Sequence, residues 1–295
     1  MNKFYIQIFF FLLSISLYGN NKALATEVAP KTGAKPKSIR YTKPKSIRYT
    51  KPKSKKHEKP KSKKSYPAND NTEEIYEKNK HLLHPDIMEH INARNFMRDA
   101  LVQLEYHANS RAYYKLFCRN YDYHMLFYKK NFRGHTKIQK VEYIIDDPNQ
   151  YNEIINEVWD PNSDNYFYAG SVKRKIVRVY NRNLVMIQQR CKQWSWSREK
   201  YFYAIAAKYK ISENKTIFVM ASANIIDHNR KNNKYFENEI VESANIFQAE
   251  IDSEDDIRNG ELKKMFVNLS GYIFEKRKNH IYITYVDSND EHGSI

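Results

Sequence analysis

Across 295 residues, 50 Lys and Arg face 34 Asp and Glu, a formal charge of +16. The excess is confined: residues 31–65 hold thirteen Lys and two Arg against Glu58, whereas residues 66–295 hold 33 basic and 32 acidic side chains. A near-neutral foldable part excludes a globally basic, nucleic-acid-shaped protein, and so uneven a chain fits one domain better than the two its length would allow.

The chain opens with Lys3, an apolar run from Phe4 to Leu17, and Ala23-Leu24-Ala25 before Thr26. A positive start, a short apolar core and an A-x-A site predict a secretory signal peptide over residues 1–25, the run being short for a span of about 20 residues. Residues 26–70 follow as a linker. Within it KPKSIRYT stands at Lys35–Thr42 and again at Lys43–Thr50, and KPKSKKHE and KPKSKKSY complete four tandem octads. Each octad has one Pro, at least three cations and at most two large apolar residues, too little burial to offset its ordering entropy. Disorder is expected, with residues 31–65 available to an anionic membrane surface through a salt-dependent attraction. The same attraction would serve nucleic acid or acidic glycans without specificity, and a solvated spacer is the plain alternative.

From Thr72 onward the composition is mixed and aromatic, and residues 71–295 read as the folded domain. A helix is predicted at Glu73–Lys80. A second, of about twenty residues, follows Pro85 with Met88, Ile91, Met97, Ala100, Leu101, Leu104 and Ala108 at near-helical spacing. Tyr113–Cys118, His124–Lys129 and Ile138–Ile145 read as strands. Asp147-Pro148-Asn149-Gln150 forms a helix start, with Asp147 as cap, Pro148 in the first turn and Gln150 completing a capping box. Tyr151, Ile154, Ile155, Val158 and Trp159 then form one apolar face that Asp160-Pro161 terminates. Beyond lie strands at Lys175–Tyr180, Leu184–Cys191, Tyr201–Ile211, Lys215–Ile225, Ile240–Phe247, Leu262–Glu275 and Ile281–Val286. This order predicts an α+β domain with a strongly curved antiparallel sheet. Apolar residues on both faces of Tyr201–Ile211 and Lys215–Ile225 predict cover on both sides of the sheet, by a ligand-holding interior or an ordinary core.

No metal site is expected, because ten histidines show no ligand spacing and two cysteines cannot build a Cys-rich zinc site. Cys118 and Cys191 either pair across the sheet in an oxidising compartment or remain buried thiols. Asn214-Lys215-Thr216 and Asn268-Leu269-Ser270 fit the N-glycosylation pattern. No nucleophile elbow or glycine-rich phosphate cradle occurs, and no cofactor is expected; a non-enzyme is the preferred reading. Trp194 and Trp196 alternate, so both rings fall on one side of a strand. They could form a cavity wall, meet a choline-like cation or a membrane interface, or simply pack a hairpin, with Arg198 nearby for a phosphate.

Several landmarks resemble START lipid-transfer domains: YNEIINEVWD at Tyr151–Asp160, Ser197-Arg198-Glu199-Lys200-Tyr201, IFVMAS at Ile217–Ser222, and Tyr285-Val286-Asp287 with Gly293. With the signal peptide and Lys/Pro repeat, the chain is most similar to the fam-a proteins of rodent malaria parasites (Plasmodium), over about residues 73–293. The resemblance implies a helix-grip fold, a curved sheet around a long helix and one apolar tunnel. It also implies binding and transfer of a phospholipid, phosphatidylcholine for that group, by a monomer secreted to the parasitophorous vacuole or host erythrocyte. Trp159, Arg198 and Ser222 match family positions, and periodicity adds Trp194 and Tyr203 as lipid-binding candidates. Two departures stand out: Glu242 replaces a usual Arg, and the family's C-terminal lid helix has no counterpart before Ile295. The Glu73–Lys80 helix is a conceivable substitute cover. The rival expectation is a secreted or host-exposed interaction protein built on a START-like scaffold without lipid transfer; a lipid hydrolase ranks third.

Overall fold

Helix formation begins where capping chemistry permits it. In this computed structural model, which describes residues 70–121, 124–133, 136–163, 171–192, 196–232 and 234–290, α1 spans Thr72–Asn79 and leads through a short 3₁₀ turn to α2, Ile87–Asn109. The Asp86 carboxylate accepts from the Met88 and Glu89 N–H groups at 2.7 and 3.3 Å, satisfying donors that the first turn leaves free. At the other end the fully buried Lys140 ammonium donates to the Ala108 and Ser110 carbonyls at 3.2 and 2.7 Å. A cation there meets both the free carbonyls and the negative pole of the helix.

The strands are β1 (Lys115–Asn120), β2 (Met125–Asn131), β3 (Lys137–Ile145), β4 (Ser171–Asn181), β5 (Leu184–Lys192), β6 (Lys200–Ser212), β7 (Lys215–Ala221), β8 (Asn224–Ile226), β9 (Gln248–Glu250), β10 (Lys263–Lys264), β11 (Val267–Lys276) and β12 (Ile281–Asn289). Ten of them form one sheet in the order β1-β2-β3-β12-β11-β7-β6-β5-β4, with β10 joining β6 in parallel. β8 and β9 form a separate parallel pair. Helix α3 (Tyr151–Trp159) follows β3, and a one-turn helix α4 (Asp255–Arg258) precedes β10.

This arrangement corrects the expected START-like helix grip. The sheet neither curls nor closes around a helix: its pairing path ends at β1 on one side and β4 on the other. Closure would require those two edges to exchange ladder hydrogen bonds. Instead the outer edge of β4 meets Leu83 in a bridge to Val179, and β1 pairs with β2 alone among the described strands. The 23-residue α2 lies along one face, in contact with β6, β7, β11 and β12.

That contact forms the main core, where Phe96, Met97, Ala100 and Leu104 meet Ile205, Ile217, Val219 and Leu269. Burial of side chains of this size contributes about 1.5–3 kcal/mol each. Met88, expected on the buried face, is 61% exposed, and Phe96 takes the central place instead. Asp147 accepts from the Asn149 N–H as a cap should, but Gln150 donates to the Asp147 carboxylate rather than closing a reciprocal box. Ile240–Phe247, read as a strand, is a 3₁₀ turn at Glu242–Asn245, because the Asn238 side chain accepts from the Ile240 and Val241 N–H groups. A side chain that occupies backbone donors competes with strand pairing.

Candidate functional site

The face of the sheet opposite α2 carries α3. Its apolar stripe of Tyr151, Ile154, Ile155 and Trp159 is buried, and the Tyr151 hydroxyl donates to Thr216 of β7 at 3.0 Å. The Trp159 ring stacks on Phe218 with centroids 5.9 Å apart, and Phe218 meets Phe274 edge-on at 5.7 Å. The Asn71 side-chain amide donates to the Asn156 carbonyl at 3.0 Å, tying the start of α1 to the middle of α3. The Lys208 ammonium, also near that junction, binds Asp70 at 2.7 Å and Thr72 at 2.6 Å.

Between the end of α3 and the sheet lies a pocket of about 70 Å³ that opens to the surface. Strand register explains its floor: Ser270, Met220, Ala206 and Val185 are successive cross-strand partners from β11 to β5, so they share one face. The next rows add Tyr272, Phe218, Ile187 and Ile176, and Trp159 forms the wall. The lining is mostly apolar, with aromatic rings concentrated at Trp159, Phe218 and Tyr272. Tyr272 also stacks on Tyr285 at 4.5 Å. Burial holds the Tyr272 phenol above its ordinary pKa, so it remains neutral.

Polar groups interrupt this surface, among them Glu157, Ser163 and Ser270, and two bear on ligand choice. Arg174 of β4 lines the pocket and donates from Nε to Gln189 at 3.1 Å, and no carboxylate lies within ion-pair distance of it among the described residues. Desolvation lowers its pKa from the usual value, the sign of a cation held out of water. The second is Trp159, whose buried indole N–H has no acceptor among the described residues. A buried donor without a partner costs about 1–3 kcal/mol. A guanidinium bonded to a neutral amide, together with an unsatisfied indole donor, makes this pocket suited to an amphipathic ligand carrying an anionic, acceptor-rich group.

Of the five lipid-binding candidates from sequence, only Trp159 is placed in the pocket. Trp194 lies outside the described residues. Arg198 donates to the Glu261 and Gly260 carbonyls at 2.8 and 2.5 Å and so fixes the turn before β10. Tyr203 points to the α2 side, where its hydroxyl meets Ser253 at 2.9 Å and Gln188 at 2.7 Å. Ser222 donates to the Tyr203 carbonyl and accepts from the Val267 N–H, joining β6 to the start of β11. These three hold the fold together and do not line the pocket.

The remaining expectations divide similarly. Cys118 on β1 and Cys191 on β5 are not joined in a disulfide. Six strands separate them in the sheet, which at about 4.8 Å per step puts them on the order of 30 Å apart, beyond any disulfide. Asn214 is exposed in the β6–β7 turn, but Asn268 is fully buried and bonds to Asp290 at 3.0 Å, which excludes it as a glycan acceptor in the folded chain. Glu242, which replaces a family Arg, forms a surface pair with Arg133 at 3.0 Å away from the pocket.

Arg174 was legible only in part. It stands between Lys173 and Lys175, and strand alternation places it on the face opposite both, with Ile176 beside it. What no local pattern indicated is that this face would meet α3. Among the described residues no cluster of three or more His, Cys, Asp or Glu could hold a metal ion, and no helix is long and apolar enough to cross a membrane.

No family model and no curated protein matches the chain. Among solved structures it is partly similar to human StAR-related lipid transfer protein 5, at 11% identity over 70% of this chain and 85% of that one, with a TM-score of 0.48. Human STARD10 overlaps at 9% identity over 66% and 67% of the two chains, TM-score 0.42. A STAR-related lipid transfer protein fragment from Xanthomonas axonopodis overlaps at 8% identity over 59% and 80%, TM-score 0.35. At this overlap none of them assigns a function to the chain.

Proposed function

We propose that this protein binds a phospholipid at the pocket between α3 and the sheet, which widens to admit the acyl chains, and carries it between membranes without making or breaking bonds. The observation that carries this reading is the Arg174 guanidinium, without a hydrogen-bonded carboxylate among the described residues, in a mostly apolar pocket that is also lined by Trp159 with its unsatisfied N–H. A phosphate group would pair with the guanidinium and accept from the indole, while acyl methylenes leave water at about 0.8 kcal/mol each. Phosphatidylcholine suits the aromatic content, because a quaternary ammonium is attracted to the faces of Trp and Tyr rings. The START-like order of landmarks supports the same ligand class. The signal-peptide pattern supports secretion, and the fam-a resemblance extends it to a parasitophorous vacuole or host-cell destination.

The test is lipid recovery by native mass spectrometry from the full chain, followed by transfer of labelled phosphatidylcholine between vesicles. Arg174→Gln, which keeps the neutral hydrogen bonding but removes the charge, is expected to lower transfer by about tenfold or more, from the 1.5–3 kcal/mol of a charged hydrogen bond. Recovery of apo protein alone, with no vesicle transfer, would overturn the reading and favour an interaction protein on the same scaffold.

A further inference from the structure

Near-neutrality of residues 66–295 conceals a polarised surface. Between Ser110 and Val141 the chain carries eight Lys and Arg and a single acid, Asp122, so the rest of that region holds 25 basic residues against 31 acidic ones. The basic segment comprises β1, β2 and the start of β3, at one end of the ten-stranded sheet. Four of its cations are accounted for internally. Arg111 pairs with Glu142 at 3.0 Å, Arg133 pairs with Glu242, Lys140 caps α2, and Lys130 is buried among the rings of Tyr106, Tyr113, Tyr114 and Phe132.

The other four, Lys115, Arg119, Lys129 and Lys137, are exposed and have no acidic partner among the described residues. Lys115 and Lys129 stand directly opposite each other in the β1–β2 ladder. Like charges at that position destabilise a sheet. Lysines on an edge strand do guard against edge-to-edge association. Guarding does not account for the apolar groups beside them: Tyr113 is 84% exposed and Tyr121 76% exposed at the two ends of β1, with Leu116 between. Tyr113 is also held at a positive φ of 64°, a conformation that L residues rarely adopt.

We infer that the β1 edge docks on an anionic phospholipid bilayer, with Lys115, Arg119, Lys129 and Lys137 at the headgroups and Tyr113 and Tyr121 seated in the interface. Each cation near an anionic surface contributes attraction that salt screens, and tyrosine, with an apolar ring and a polar tip, settles at the membrane–water boundary. The inference extends the carrier reading, since a carrier must meet the membrane that it loads from. This docking edge is distinct from the charged repeat and from the lipid pocket.

The test uses the full chain and vesicles of phosphatidylcholine with or without about one-third phosphatidylserine. Replacing Lys115, Arg119, Lys129 and Lys137 with Gln is expected to lower partitioning onto the anionic vesicles by at least about tenfold. Tyr113→Ser with Tyr121→Ser is expected to remove the part of binding that survives in high salt. Vesicles should also slow amide exchange over residues 113–121. Unchanged exchange there, or an equal loss when four repeat lysines are replaced instead, would overturn the proposal by assigning the attraction to charge in general. Tighter, edge-dependent binding of a single-stranded oligonucleotide than of vesicles would overturn it in favour of nucleic acid. Failure of the edge would leave lipid recovery from the pocket untouched, so the two readings fail separately.

Discussion

Gly271 shows how closely the sheet is fitted to its helix. A Cβ at this position would lie 2.3 Å from the Phe218 carbonyl oxygen and 2.7 Å from a Leu104 methyl, and the first of these is backbone that cannot step aside. Gly271→Ala is therefore expected to cost about 1–3 kcal/mol, the usual range for overpacking a filled site. A chemical-denaturation midpoint measured beside the native chain checks it. The same residue forms part of the pocket boundary, so the substitution should also alter lipid occupancy while leaving Arg174 in place. Arg198 teaches the opposite lesson. Its position next to a tryptophan pair suggested a phosphate ligand, but its donors are occupied by backbone carbonyls, and only the tertiary structure shows them.

At the scale of the element, the C-terminal turn of α2 is a concentrated electrostatic site. His107 is fully buried there, with Nδ1 3.1 Å from the Tyr114 hydroxyl and Nε2 without a partner among the described residues. A protonated histidine normally suits a helix C-terminus. Here desolvation, then the charges of Lys130 and Lys140, push its pKa down to about 4. Because the folded value lies below the unfolded value of about 6.5, the unfolded chain binds the extra proton first. This contribution to stability is complete above pH 6.5 and is lost as pH falls toward 4, by up to about 3 kcal/mol. His107→Phe removes the titration, so the difference in urea midpoint between pH 7 and pH 4.5 should be smaller than in the native chain. The strands and helices themselves were largely visible in advance. Period-two runs marked most of the large sheet, and Asp147-Pro148 with the Tyr151-to-Trp159 spacing marked α3 within a residue or two. Elements fixed by side-chain competition, such as the 3₁₀ turn held by Asn238, were not visible, because the deciding hydrogen bonds have no periodic signature.

Over the whole molecule, charge separates into a +14 segment at residues 31–65 and a domain that is neutral in sum but locally uneven. Removing residues 35–50 deletes two octads and six cations. Affinity for anionic vesicles is expected to fall at low salt, and the difference from the full chain should vanish near 1 M, where the screening length is about 3 Å. Pocket occupancy is expected to be unchanged. A vesicle-sedimentation series across salt concentrations, with mass spectrometry of retained lipid, measures both.

The sequence by itself determined what depends on neighbours along the chain: the repeat and its charge, the signal-peptide pattern, the capped start of the helix at Tyr151 and the two-faced character of β6 and β7. Tertiary structure alone decided what depends on which strand lies beside which. The open order from β1 to β4 separates Cys118 from Cys191, buries Asn268, assigns Tyr203 and Ser222 to holding the fold, and brings Trp159 to Arg174 across the sheet face. The physical reason is range. Periodicity and capping act over a few residues, whereas the surroundings of a guanidinium on β4 are set by non-local pairing and by a helix that ends some fifteen residues earlier in the chain.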